Sequence, residues 1–197
     1  MAKPLVFEQD AATVVFSVSI GVWTLFEFVM RLRQRLRLRG KPARDPSAMI
    51  LAACLAVSVV AAIQLAQHGP LLWPGGRLWP LVAGITLIAV GTSLRAWSIS
   101  TLGRFFQYRI EVQPGHHVVS GGPYRYVRHP SYTGVALVVL GIALAAGDVL
   151  SLVVTLVLSS VGLAVRIRAE ERQLTDALGD EYRRFAAGRK RLIPRLL

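Results

Sequence analysis

The stretch Ser131–Arg172, SYTGVALVVLGIALAAGDVLSLVVTLVLSSVGLAVRIRAEER, contains two apolar runs, 131–147 and 149–165, separated by little more than Gly147-Asp148. Asp148 is its one charged residue before Arg166. Each run falls slightly short of the roughly 20 residues that a perpendicular bilayer crossing needs. The joint leaves room only for a tight turn, so the pair predicts a helical hairpin that tilts or sits partly within the protein. Outward from it, further apolar runs at 11–30, 47–67 and 79–100 read as membrane spans. The expected fold is therefore an all-α integral membrane protein with about five transmembrane helices, the last two forming the hairpin.

Composition supports this. The chain has 197 residues, is 53% hydrophobic with a mean hydropathy of +0.49, and still carries 23 Lys and Arg for a net charge of +12. Two such opposed characters coexist when a bilayer segregates them. The charge follows the spans: Arg31, Arg33, Arg35, Arg37, Arg39, Lys41 and Arg44 come after the first, and Arg104, Arg109, Arg125 and Arg128 after the third. The tail from Arg166 is also basic, whereas 68–78 has only Arg77 and the hairpin tip only Asp148. By the positive-inside rule, the N-terminus is expected outside and the C-terminus in the cytosol, as in a bacterial inner-membrane protein. Basic loops beside spans have a membrane explanation, so lipids and not nucleic acid are the expected partners.

The first apolar run lacks a small-residue cleavage site and ends in Glu27-Phe-Val-Met-Arg31, which reads as an anchor and not a cleaved signal. The single cysteine, Cys54, lies inside a span and excludes an intrachain disulfide. His68 is isolated, and His116, His117 and His129 lack the spacing that puts ligands on one helix face, so no metal is expected.

Three cytosolic pieces remain: 31–46, 101–130 and 166–197. The first, RLRQRLRLRGKPARDP, reads as topogenic charge and headgroup contact. The second runs through Gln113, His116, His117, Gly121-Gly122-Pro123, Tyr124, Arg125, Tyr126, Arg128, His129 and Tyr132. Its glycines and prolines predict a loop, with short extended stretches at Val112 and Val118-Val119. Pro130 suits a first helical turn, which puts Arg128, His129 and Tyr132 at a helix N-terminus, where free N–H groups favour an anion. An interfacial belt of aromatic and basic residues does not require glycine pairs or His-Pro-Ser-Tyr at a helix start.

In the third piece, Leu174, Leu178, Tyr182 and Phe185 recur at helical spacing with Gly179 as a break, giving an amphipathic helical segment. Arg166 and Glu170 stand at i, i+4, in the weaker order for a helix-supporting pair and at membrane depth, which points to function. Glu171 and Arg172 read as solvated charges. Glu27 and Arg95, near the cytosolic ends of their spans, are expected to snorkel.

These residues carry a resemblance. Gly122-Pro-Tyr-Arg-Tyr-Val-Arg-His-Pro-Ser-Tyr-Thr-Gly134, followed by Glu170-Glu171-x-x-Leu174 and Gly179-x-x-Tyr182, resembles the isoprenylcysteine carboxyl methyltransferase family over about 100–197. The resemblance implies S-adenosylmethionine in a partly membrane-buried pocket, with a lipophilic or prenylated acceptor arriving from the bilayer. It places cofactor binding on His116, His117, Val118 and Val119, on Tyr124, and on His129, Pro130, Ser131 and Tyr132, with Gln113 as the upstream glutamine. Arg166 and Glu170 take the acceptor-site positions, and Arg189 or Arg191 matches a further arginine. It also implies a division into an N-terminal three-helix region, 1–100, and a methyltransferase core, 101–197, made of a cofactor loop 101–130, the hairpin 131–165 and the C-terminal segment 166–197. The short chain resembles the compact bacterial branch.

Methyl transfer from a sulfonium needs alignment and exclusion of water, not a nucleophilic side chain. A carboxylate acceptor is already ionised and needs only an orienting arginine such as Arg166, whereas a phenol or enol needs Glu170 or His129 to take its proton. A phospholipid or amine N-methyltransferase, a nicotinamide-using reductase and a non-catalytic membrane scaffold are the alternatives.

Overall fold

The computed structural model of the chain describes residues 3–37, 45–68, 71–74, 76–109, 115 and 117–194. Gln113, His116, Val112 and the part of the basic run at 38–44 lie outside them. The described chain is built from helices: α1 (Asp10–Arg37), α2 (Pro46–His68), α3 (Leu78–Leu102), α4 (Pro130–Ala145), α5 (Val149–Leu178) and α6 (Asp180–Ala187). Short 3-10 turns precede α1, follow α3 and span Gly122–Arg125. Among the described residues, α1, α2, α3 and α5 are long and apolar enough to cross a membrane, and α4 is a shorter apolar helix. Val14, Val18, Val22, Leu25 and Phe28 on α1 and Val153, Leu156, Val157 and Val161 on α5 lie exposed. Lipid is the solvent that makes such a surface stable, and the protein is a multi-pass membrane protein.

In hydrocarbon, apolar surface gains little by meeting apolar surface, so helices associate through close packing, which small residues permit. The fold does this twice. In the antiparallel pair α3–α4, a Cβ on Gly91 would stand 2.6 Å from the Gly134 carbonyl oxygen, and one on Gly141 would stand 2.6 Å from that of Gly84. The glycines are seven residues apart on each helix, and the buried face of α3 runs Gly84, Ile88, Gly91, Arg95, Ser98. In the antiparallel pair α2–α5, Gly162 closes on Cys54, Ser151 Oγ donates to the Ala62 carbonyl at 2.8 Å, and Ser58 and Thr155 are buried together. The buried face of α5 continues through Ser159 and Gly162 to Arg166.

The hairpin forms where the sequence places it. Gly147 takes φ +81°, and Asp148 caps α5 by accepting from Ser151 N at 2.6 Å. The Asp148 carboxylate also accepts from Leu71 N at 2.5 Å, tying the α2–α3 connection to the tip, and it is fully buried. At about 24 Å, α4 is shorter than the hydrocarbon core, and most of it is enclosed by its neighbours. The fifth apolar run does not stop near 165: α5 continues unbroken to Leu178, where Gly179 with φ +54° turns the chain into α6.

Because the α3–α4 seam has no room for a methyl group, Gly91→Ala is expected to cost about 1–3 kcal/mol through overpacking. Gly21→Ala on α1, where a Cβ meets nothing within 4 Å, serves as the control. Thermal unfolding in detergent should show a clear fall for the first and no fall for the second.

Candidate active site

At the end of the bundle where α4 begins and α5 leaves the apolar region, α1, α2, the α3–α4 connection, α5 and α6 enclose a cavity of about 590 Å³. Two differently built halves meet in it. One stretch of the lining is apolar and comes mostly from α2, with Met49, Leu51, Ala52 and Leu55, joined by Trp23 of α1 and Val135 of α4. The other belongs to the end of α3, the connection and the C-terminal helices: Leu102, Phe105, His117, Val118, Val119, Tyr124, Leu174, Leu178, Tyr182 and Phe185. A band of polar side chains, Glu27, Arg95, His129, Ser131, Tyr132, Asp45, Arg166 and Glu170, lies at the cavity as well.

Local structure explains how these groups are aimed. Pro130 opens α4, so His129, Ser131 and Tyr132 leave the first turn in different directions. Tyr132 sits between the two residues singled out on α5: its hydroxyl donates to Glu170 Oε2 and accepts from Arg166 Nε at 2.9 Å. Arg166 and Glu170 are thus joined through a tyrosine. The Arg166 guanidinium, nearly excluded from solvent, further donates from Nη1 to Asp45 Oδ2 at 2.6 Å and Ser47 Oγ at 2.8 Å, and from Nη2 to the Tyr108 carbonyl at 2.9 Å.

Arg95 does not snorkel. Its side chain is 6% exposed, ion-paired with Glu27, and donates from Nη1 to Ser131 Oγ at 2.8 Å. The rings of Trp23, Phe106 and Tyr108 stand 5.6–5.8 Å from it. Tyr108 also donates its hydroxyl to Glu27 Oε2 at 2.9 Å, so one residue touches both buried arginines' networks. A charge inside a span is held this way because leaving it unpaired costs several kcal/mol.

Nor is Glu171 a solvated charge. It takes Arg128 Nη1 at 2.8 Å, His129 Nε2 at 3.2 Å and Arg191 Nη2 at 2.8 Å. Arg191 lies in a C-terminal strap whose carbonyls accept from Arg128 N (to Lys190) and His129 N (to Arg191), both at 2.9 Å, while Thr133 Oγ1 donates to the Leu192 carbonyl at 2.8 Å. Arg189 stacks on Phe185 instead, its guanidinium carbon 4.5 Å from the ring centroid. Val118 and Val119 form no strand; Val118 N donates to Glu181 Oε1 at 2.9 Å.

Of the residues named from the sequence, His117, Val118, Val119, Tyr124, His129, Ser131, Tyr132, Arg166 and Glu170 line the one cavity. Pro130 is buried beside it as the first residue of α4. Burial, reinforced by the Glu170 carboxylate, pushes the Tyr124 phenol well above its usual range, so it stays a neutral hydroxyl. Sequence reasoning missed Glu27, Asp45, Arg95, Gln107 and Tyr182. Both amide atoms of Gln107 and the Tyr182 hydroxyl are buried and lack a hydrogen-bond partner among the described residues. Polar atoms left without a partner on a cavity wall are available to a ligand or to water.

The sequence model of the isoprenylcysteine carboxyl methyltransferase family matches residues 84–176, from the first glycine of the α3 seam to just past the Glu170-Glu171 pair. The chain belongs to this family. It is 31% identical to the uncharacterized protein YpbQ of Bacillus subtilis over 120 residues, 61% of this chain and 67% of that one. It is 32% identical to protein-S-isoprenylcysteine O-methyltransferase B of Arabidopsis thaliana over 110 residues, 55% of this chain and 56% of the plant enzyme. With protein-S-isoprenylcysteine O-methyltransferase of Saccharomyces cerevisiae it shares 31% over 103 residues, 51% and 43% of the two chains. The chain thus spans about two thirds of the Bacillus protein and about half of the plant and yeast enzymes. The family is one of O-methyltransferases, and α1 and α2, which supply the apolar half of the cavity, lie outside the stretch its model matches.

The clustered cations on Glu171 set an expectation. Glu171→Ala strands Arg128 and His129 and loosens the strap, at about 2–3 kcal/mol. Arg172→Ala, on the exposed side of the same turn, should be within about 0.5 kcal/mol of the parent. Thermal unfolding in detergent separates the two.

Proposed function

We propose that the protein is an S-adenosylmethionine-dependent methyltransferase that methylates an oxygen, foremost a carboxylate, of a lipophilic acceptor at the membrane surface. The observation that carries this reading is a single cavity in which an apolar wall from α1 and α2 meets a mixed polar and aromatic wall at the Tyr132–Arg166–Glu170 cluster.

The residues of the second wall fit the cofactor. Gln107 offers a paired donor and acceptor with no partner among the described residues, Tyr182 and Tyr124 offer neutral hydroxyls, and Val118, Val119, Leu174 and Phe185 offer apolar surface to a nucleoside. Gln113, to which the resemblance gives a cofactor contact, lies outside the described residues. Glu170 supplies a carboxylate suited to hydroxyl or ammonium groups. The bound cofactor supplies a methyl group on a sulfonium, so the C–O bond forms as the C–S bond breaks and a neutral thioether leaves.

The protein's own work is alignment. Arg166 orients the acceptor oxygen, Tyr132 holds Arg166 against Glu170, and Arg95 fixes Ser131 and with it the first turn of α4. The apolar wall receives the acceptor's tail, with a prenylated cysteine or another lipophilic carboxylate as acceptor. An ionised carboxylate brings its own nucleophile, so no general base takes part. The division into an N-terminal region, 1–100, and a core, 101–197, is the functional counterpart: α1 and α2 supply the acceptor wall and the core the cofactor wall. Arg31, Arg33, Arg35 and Arg37 at the end of α1 that borders the cavity support, by the positive-inside rule, a site and C-terminus in the cytosol and an N-terminus outside; the membrane in this reading is a bacterial inner membrane.

Calorimetric titration of S-adenosylmethionine into the detergent-purified protein tests the cofactor. Saturable binding is expected, weakened at least tenfold in Gln107→Ala and His129→Ala and less in Tyr124→Phe; an absence of binding in both detergent and lipid sinks the proposal. Arg166→Ala should leave that binding within a few-fold and lower methyl transfer to a prenylcysteine carboxylate at least a hundredfold.

A further inference from the structure

Arg166 is the least available arginine a carboxylate site could have. A guanidinium has five N–H groups. Nε serves Tyr132, both hydrogens of Nη1 serve Asp45 and Ser47, and one of Nη2 serves the Tyr108 carbonyl. That leaves a single Nη2 N–H. Its charge is matched as well, since Asp45 Oδ2 lies 2.6 Å from Nη1, with the two side chains 3% and 15% exposed. Asp45 is held in turn by its own helix. As the cap of α2, its Oδ1 accepts from Ala48 N at 3.1 Å and from Ser47 Oγ at 2.6 Å. It lies outside the family-matched stretch, contributed by the half of the protein that forms the acceptor wall.

A free arginine grips a carboxylate with two parallel N–H···O bonds, one to each oxygen. Such a grip is counterproductive in a methyl acceptor: it draws charge from both oxygens and stabilises the ground state, which tightens binding and slows attack. We propose that Asp45 is a positioning residue that keeps Arg166 one-handed, occupying its second donor edge so that the acceptor carboxylate is held by one oxygen and attacks with the other. Asp45 also partly neutralises Arg166, which limits how strongly the acceptor's negative charge is bound before transfer. The proposal rests on the carboxylate reading of the site.

The role separates binding from turnover in a direction that a structural role does not. Asp45→Ser keeps a cap for α2 but cannot reach Arg166, and Asp45→Asn keeps shape and cap while removing the charge. N-acetyl-S-farnesyl-cysteine is titrated into the full-length protein preloaded with S-adenosylhomocysteine, and its methylation is followed separately. Asp45→Ser is expected to bind this probe at least tenfold more tightly and to turn over at least tenfold more slowly at saturation. Asp45→Asn should move both quantities the same way by less, and it decides the matter if the serine variant does not fold. The corresponding neutral amide should bind wild type and variants alike. Equal or weaker carboxylate binding by the variants, with S-adenosylhomocysteine binding intact, overturns the role of Asp45 and leaves the methyltransferase standing. Failure of every form to bind the carboxylate while still binding S-adenosylhomocysteine overturns the carboxylate reading and this proposal with it.

Discussion

The close approach of helix backbones in two antiparallel pairs is the constraint on which everything else rests. Gly84 against Gly141 and Gly91 against Gly134 bring α3 and α4 into contact, and Gly162 with the serines and threonine of α5 does the same against α2. Neither seam stays apolar to its end. Four residues beyond Gly91 comes Arg95, and four beyond Gly162 comes Arg166, each on the face that the small residues define. A helix that is held by its backbone cannot rotate an unwelcome side chain out to the headgroups. Both arginines are therefore delivered into the protein at the same end of the bundle, and each must find an anion there.

Those anions come from the other half of the chain, Glu27 from α1 and Asp45 from the start of α2. A buried ion pair adds little net stability, because desolvation of both partners offsets their attraction, but removing one partner strands the other at several kcal/mol. The pairs accordingly act as registration marks more than as glue. Glu27 fixes where α1 stands along α3, and Asp45 fixes where α2 starts relative to α5. Since α1 and α2 also furnish the apolar wall, the same contacts that neutralise the arginines set the shape of that wall relative to Tyr132 and Glu170.

Much of this was legible in the sequence, and the part that was not has a common cause. Apolar runs, the two-residue joint at Gly147-Asp148 and the break at Gly179 are local signals, and the hairpin and the α5–α6 turn stand where they indicate. The family motif led from residue patterns to side chains that the fold gathers around one cavity. Glu27 and Arg95, set against their neighbours along the chain, look like charges near a span end with an easy route to the headgroups, and Asp45 sits in a piece that reads as topogenic charge. The spacing of Gly84, Ile88, Gly91 and Arg95 held the corrective: alternating steps of four and three mark a packed seam, and a charge that continues such a seam is inside. Gln107 gave no such sign. A glutamine in an irregular connection looks the same whether its amide faces water or a ligand.

Of the adjacent acids on α5, Glu171 reads along the chain as a solvated charge, and its direction on the helix makes it otherwise. Consecutive residues on an α-helix point about 100° apart, so Glu170 and Glu171 cannot share a task. Glu170 reaches the cavity and takes the Tyr132 hydroxyl, while Glu171 turns to the strap and gathers Arg128, His129 and Arg191. His129 lies between them, its Nε2 on Glu171 and its Nδ1 4.0 Å from Glu170. One turn of α5 therefore places Glu170 at the cavity and, a residue later, the clasp that holds the C-terminal segment. This is possible because α5 runs without a break from the membrane into the polar region, so that rigidity set by the Gly162 seam is carried to the cavity and to the strap beside it.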